Sequence, residues 1–137
     1  MKWRDVVAKV NAMDWPANSC VVFGSCPMAL AGLRESRDID LFVSPELYDK
    51  LKKDGWETVI KGPKDKPLVH DVFEAHRDWE FSSYAPKFEE LLERATVVDG
   101  IPFASLTDVR KWKAASGRPK DIADIKLIDN YLSKAGP

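Results

Sequence analysis

Apolar residues recur along this chain with two periods, and each period predicts a kind of element. Trp3, Val6, Val7, Val10 and Met13 step by three and four, which predicts an amphipathic helix from Lys2 to Met13. Trp15-Pro16-Ala17-Asn18 interrupts it, and the β-branched and aromatic run Cys20–Phe23 predicts a strand that stops at Gly24, where the chain turns at low steric cost. Ser25 and Pro27 open a short helix, the proline standing where its missing N–H is not needed, and Gly32 ends it. The next segment, Asp38-Ile39-Asp40-Leu41-Phe42-Val43, alternates with period two. Ile39, Leu41 and Val43 share one face of the expected strand, and Asp38 and Asp40 share the other.

Ser44-Pro45-Glu46 combines a cap, a first-turn proline and an early acid, and predicts a helix ending near Asp54-Gly55. Trp56–Ile60 suits a strand, Gly62-Pro63-Lys64-Asp65-Lys66-Pro67 a loop, and Leu68–Phe73 a further strand. In that strand Asp71 shares a face with Val69 and Phe73, while His70 points the other way and reads as a structural, hydrogen-bonded histidine. Pro86 opens a helix with Phe88, Leu91, Leu92 and Ala95 inward. Thr96–Val98 and Ile101–Phe103 flank the hairpin signal Asp99-Gly100. Ser105 and Asp108 resemble a capping box for a helix with Val109 and Trp112 inward, which Gly117 closes. Pro119 starts the last helix, carrying Ile122, Ile125, Ile128 and Leu132. The expected fold is α/β (α+β): a small mixed sheet with helices packed on it, in a single domain over 1–137 with a short C-terminal helical segment over about 105–134.

The composition supports a packed core, with 45% apolar residues and five tryptophans in 137 residues. A net charge of −1 argues against a globally basic nucleic-acid surface. No apolar run reaches the length of a membrane span and MKWRDVV lacks a signal peptide's apolar core, so a soluble cytoplasmic protein with no membrane partner is expected. Cys20 and Cys26 have no CxxC spacing and no histidine pair nearby, and read as reduced thiols.

The candidate chemistry lies in the aspartate strand. Residues two apart in a strand stand about 6–7 Å apart at Cα, so the carboxylates of Asp38 and Asp40 can converge on one divalent cation or on two neighbouring ones. Like charges this close call for compensation, and oxygen ligands favour Mg²⁺ when substrate phosphates complete its shell. The amides of the Gly24-Ser25 turn and of the following helix start suit an anion such as phosphate. The bland alternative is a strand edge bearing two solvated aspartates.

Gly24-Ser25, twelve residues, then Asp38-Ile39-Asp40-Leu41, with Arg34 and Ser36 between, resembles the signature of the polymerase-β-type nucleotidyltransferase superfamily. The resemblance implies that Gly24, Ser25, Arg34 and Ser36 bind the nucleotide and that Asp38 and Asp40 hold Mg²⁺, with Mn²⁺ as a substitute. It also calls for a third carboxylate on a neighbouring strand. Asp71 is the best match, as metal ligand and as the group acting on the acceptor, with Glu74, Asp78 and Glu80 as rivals. A second stretch, from Lys111 to Ile125, resembles the C-terminal part of nucleotidyltransferases related to abortive-infection and toxin–antitoxin systems. That resemblance implies roles for Lys113 and Asp121 at the nucleotide; alternatively Asp121 and Asp124 decorate a helix start, where negative charge is favoured anyway.

The expected function is transfer of a nucleoside monophosphate from a nucleoside triphosphate (NTP) to an acceptor hydroxyl on a protein, an RNA or a small molecule. The chain has little helix beyond its last strand, so the acceptor sits in a shallow cleft or is presented by a partner protein. The competing expectation is a catalytically inactive binding module, such as an antitoxin.

Overall fold

The computed structural model describes residues 1–63, 65–78 and 84–135. Among them the order of elements is α1 (Trp3–Ala12), β1 (Cys20–Phe23), α2 (Cys26–Leu30), β2 (Ile39–Val43), α3 (Pro45–Lys53), β3 (Glu57–Thr58), β4 (Leu68–His70), β5 (Phe73–His76), α4 (Phe88–Arg94), β6 (Thr96–Val98), β7 (Ile101–Phe103), α5 (Leu106–Ser116) and α6 (Pro119–Ala135). The strands form one mixed sheet in the order β3-β4-β5-β2-β1-β7-β6. β2 runs antiparallel to β1 and parallel to β5, and β1 runs parallel to β7.

Period-two alternation divides the central strands between two cores. Cys20, Val22, Ile39, Leu41, Val43, Phe73 and Ala75 face the side where α1 and α3 bury Val6, Val10, Leu47 and Leu51. Val21, Phe23 and Phe42 face the other side, packed with Met28 of α2, Leu91 of α4, Val109 of α5 and Ile128 of α6. Three termini of two helices, α3 and α5, form as the sequence predicts. Ser44 Oγ accepts the Leu47 N–H at 3.2 Å and Ser105 Oγ accepts the Asp108 N–H at 3.1 Å, and Gly117 stops α5 at φ 68°. At the tip of β6–β7, Asp99 and Gly100 have φ of 50° and 81°, the left-handed pair that a tight hairpin turn needs.

Two expectations are corrected. The run Leu68–Phe73 is not one strand: β4 ends at His70, the chain reverses through Asp71 and Val72, and β5 begins at Phe73, paired antiparallel to β4 with His70 opposite Phe73. Asp71 is an exposed turn residue with φ 53°, so it does not share a strand face with Val69 and Phe73. The turn wins because aspartate tolerates the left-handed region, and because reversal lets Phe73 and Ala75 bury beside β2 at the centre of the sheet. The strand expected over Trp56–Ile60 is only Glu57–Thr58, at the sheet edge. No helix among the described residues is long and apolar enough to cross a membrane.

Candidate functional site

Where β1 ends, β2 and β5 begin, and the pairing places polar side chains in a row. Asp40 stands opposite Phe23 on one side and Glu74 on the other, on the face that carries Val21 and Phe42. His76, two residues beyond Glu74, returns to that same face. Asp40, Glu74 and His76 each offer a ligand atom, and the three atoms lie within 4.8 Å of one another. Among the described residues no other set of three or more His, Cys, Asp or Glu side chains converges in this way.

The loop between β3 and β4 supplies their partners. Asp65 Oδ1 lies 2.7 Å from His76 Nδ1, while the other ring nitrogen, Nε2, faces Glu74 Oε1 at 3.4 Å. Lys61 Nζ makes an ion pair with Glu74 Oε1. The loop is anchored from α3, where the Tyr48 hydroxyl donates to the Lys66 carbonyl at 2.8 Å.

These contacts set the charge states. Burial pushes the Asp40 carboxyl up; the positive field of His76 opposes this and the negative field of Glu74 adds to it, as does that of Asp38. Glu74 is held down at about 2, chiefly by its hydrogen bond to His76 and further by Lys61, against burial. Burial disfavours a charged His76, but its bonds to Asp65 and Glu74 and the nearby Asp40 outweigh that and raise it. The cluster therefore already gathers positive charge around its carboxylates.

Gly24 brings the turn after β1 against this cluster. It has φ 66°, and a Cβ built on it would lie 2.2 Å from Asp40 Oδ2, so no larger residue fits while Asp40 keeps its place. Ser25 is the cap residue of α2 and its side chain makes no capping bond. Ser36 is turned inward: its hydroxyl donates to the Asp38 carbonyl and meets the Cys26 thiol at 3.3 Å, bracing the approach to β2. Asp38 lies exposed at the lip of β2, outside the three-residue cluster, and Asp71 lies outside it in the hairpin turn. Asp78 is exposed beyond β5, and Glu80 falls outside the described residues. Cys20 and Cys26 are free and buried, their thiols pushed up to about 12 by desolvation.

The joint of α5 and α6 is an ion-pair network, not solvated decoration. Lys113 is 3% exposed and Asp121 0%. The Lys113 ammonium donates to Asp124 Oδ2 at 2.9 Å and stands 3.7 Å from Asp121. Arg118 closes on Asp121 at 2.8 Å. Arg34 reaches across from the segment between the Gly-Ser turn and Asp38, and its guanidinium meets both oxygens of Asp124 at 2.9 and 3.0 Å. The C-terminal constellation is thus tied to the 34–38 segment, with Lys113 and Asp121 turned toward buried partners.

The sequence pattern groups Gly24, Ser25, Asp38 and Asp40, with Asp71 as third carboxylate and Glu74 only as a rival; of these the structure brings Gly24, Asp40 and Glu74 together. That grouping missed His76, Asp65 and Lys61. The alternation Phe73-Glu74-Ala75-His76 was the available signal for His76, once a turn at Asp71 is allowed. Nothing local marks Lys61 or Asp65.

Most of the chain resembles a known structure in fold. It superposes on the aminoglycoside nucleotidyltransferase ANT(2")-Ia, solved in complex with adenylyl-2"-tobramycin, with TM-score 0.54 and 14% identity over 93% of this chain and 85% of that one. The protein therefore has a nucleotidyltransferase-like fold. No protein-family model matches the sequence, and no curated protein does.

Proposed function

We propose that this protein is a divalent-cation-dependent nucleotidyltransferase that moves a nucleoside monophosphate from an NTP to an acceptor hydroxyl. The observation that carries this reading is the pairing of Asp40 with Glu74 across β2 and β5, directly against the Gly24 turn, in a nucleotidyltransferase-like fold. The donor set fits a cation: two carboxylates and an imidazole offer ligand atoms within 4.8 Å of one another. Asp40 and Glu74 would hold the ion, with Asp38 joining from the lip of the strand, and Mg²⁺ or Mn²⁺ would neutralise charge on the phosphates and the leaving pyrophosphate.

The chain's own residues do the rest by positioning and charge. Amides of the Gly24-Ser25 turn bind phosphate oxygens. Glu74, not Asp71, stands beside Asp40 as the third carboxylate. Held at about 2, it is a weak base and serves to orient an acceptor hydroxyl for attack on the α-phosphorus. Arg34, Lys113 and Asp121 act as positioning residues, because their charges are spent on one another and on Asp124 and Arg118. A relation to abortive-infection and toxin–antitoxin nucleotidyltransferases belongs to this proposal on the strength of residues 111–125 alone. The neighbour's adenylylated tobramycin supports a small-molecule acceptor alongside protein or RNA.

The test is calorimetric titration with non-hydrolysable ATP, with and without divalent cation, followed by screening for label transferred from each of the four α-labelled NTPs. Cation-dependent binding and label transfer are expected. Binding of neither ion nor nucleotide overturns the proposal in favour of an interaction module such as an antitoxin.

A further inference from the structure

The cation cluster contains a nitrogen where an oxygen-only site for Mg²⁺ has none. His76 is 4% exposed, and both of its ring nitrogens are directed. Nδ1 lies 2.7 Å from Asp65 Oδ1 and Nε2 faces the Glu74 carboxylate, 3.4 Å from its Oε1. A carboxylate bonded to one imidazole nitrogen fixes the tautomer and ring angle that leave the other nitrogen's lone pair for a metal, and such outer partners typically change metal affinity by about 10–100-fold. Asp65 is in turn held in place by its loop, whose backbone bridges Gly62 to Asp65.

We infer that Asp40, Glu74 and His76 form a mixed nitrogen–oxygen site for a first-row transition ion, Mn²⁺ in preference to Mg²⁺, with His76 Nε2 as a ligand and Asp65 as its positioning residue. This deepens the nucleotidyltransferase reading by naming the ion of the same site, and it rests on that reading only for the use to which the ion is put. The physical reason is ligand chemistry. Imidazole is a good ligand for first-row transition ions and a poor one for Mg²⁺, which keeps oxygen ligands at near-ideal octahedral geometry and gives up water reluctantly. Two carboxylates alongside one imidazole keep the oxygen majority that suits Mn²⁺ among those ions.

The test uses the full, tag-free chain without nucleotide. Free Mn²⁺ is followed by its electron paramagnetic resonance signal, and Mg²⁺ by competition against it. Mn²⁺ should bind at least about tenfold tighter than Mg²⁺, His76→Gln should reduce that preference by about tenfold or more, and Asp65→Asn should weaken Mn²⁺ by about 10–100-fold. The chain has only two histidines, and the other, His70, stacks on Trp56 at 5.1 Å, so His70→Gln should leave Mn²⁺ binding unchanged. Because His76 is buried and its replacement puts folding at risk, the wild-type Mn²⁺ complex is also examined by electron spin-echo modulation, which should show a ¹⁴N coupling. Absence of that coupling, Mg²⁺ binding as tight as Mn²⁺, or unaltered Mn²⁺ affinity in a folded His76→Gln variant would overturn the inference. Nucleotide transfer is read separately. Mn²⁺ bound through nitrogen with no transfer from any NTP sinks the nucleotidyltransferase reading and leaves the metal site standing; cation-dependent transfer without nitrogen coupling does the reverse.

Discussion

A methyl group at Gly24 would lie 2.2 Å from Asp40 Oδ2, so the turn that ends β1 and the carboxylate that begins the β2 site occupy contiguous space. Gly24 also holds φ 66°, which an L side chain adopts only with strain. Gly24→Ala should therefore act twice. It should destabilise the fold by about 1–3 kcal/mol in urea denaturation and displace the Asp40 carboxylate, lowering divalent-cation affinity beyond what the stability loss explains. Unchanged cation binding in a folded Gly24→Ala protein would separate the turn from the site.

Asp40→Asn should abolish cation-linked binding of non-hydrolysable NTP while moving the urea midpoint little. Burial already raises this carboxyl, so replacing it with a neutral amide removes a charge the fold disfavours. Nucleotide binding that keeps its cation dependence in this variant would exclude Asp40 as a ligand.

Lys61 competes with any cation for Glu74, because its ammonium already forms an ion pair with Glu74 Oε1. Lys61→Gln should tighten Mn²⁺ binding by about tenfold, the order expected when one partly exposed positive charge leaves a cation site. Weaker binding would make Lys61 part of the site's support instead.

The apoprotein should show a stability window set by the Glu74–His76 contact. Glu74 is depressed to about 2 from an ordinary 4.5, so its contribution is complete above 4.5 and is lost as the pH falls toward 2. His76 is raised above its ordinary 6.5, so its contribution is complete below 6.5 and is lost as the pH rises through the folded value. The stability difference between wild type and His76→Gln, measured in chelator by urea denaturation, should be greatest between 4.5 and 6.5 and shrink on both sides. Its maximum should be about 2 kcal/mol, allowing for partial solvent screening of Glu74. A difference independent of pH would mean the two groups do not share a proton-linked contact.

Lys113→Ala should cost about 3 kcal/mol of stability, because it leaves Asp121 and Asp124 buried with one cation fewer between them. Arg34 and Arg118 remain to compensate, which keeps the loss at the lower end for a broken buried pair. A loss of a few tenths of a kcal/mol, as for a surface charge, would contradict the buried network.

The fold was legible wherever a local rule and the tertiary structure agree. Ser44, Ser105, Gly117 and Asp99-Gly100 bound or turn their elements as local chemistry demands, and the alternation of Ile39–Val43 sends Ile39, Leu41 and Val43 to one face and Asp40 to the other, as expected. The reading failed between Leu68 and Phe73, where His70, Asp71 and Val72 fit an uninterrupted strand as well as a two-residue turn. Only the demand of β2 for a parallel neighbour, met by burying Phe73 and Ala75, decides for the turn.

The candidate site divides in the same way. The sequence by itself was enough to bring the Gly24 turn and the Asp38–Asp40 strand start into view, because a turn glycine and a strand face are properties of a few consecutive residues; it did not separate Asp40, which lies against Gly24, from the exposed Asp38. It could not decide which carboxylate stands beside Asp40. That follows from strand register: β5 pairs Glu74 with Asp40, and one turn earlier Asp71 is carried out of the sheet. His76, Asp65 and Lys61 meet only because a loop anchored on Tyr48 folds back over β5. Likewise the charges from Lys113 to Asp124 read equally well as an exposed helix start until the packing of α5 against α6 removes them from water and turns them on one another. Spacing along a chain encodes the direction of a side chain; its partner is set by which distant segments the apolar core brings to the same place.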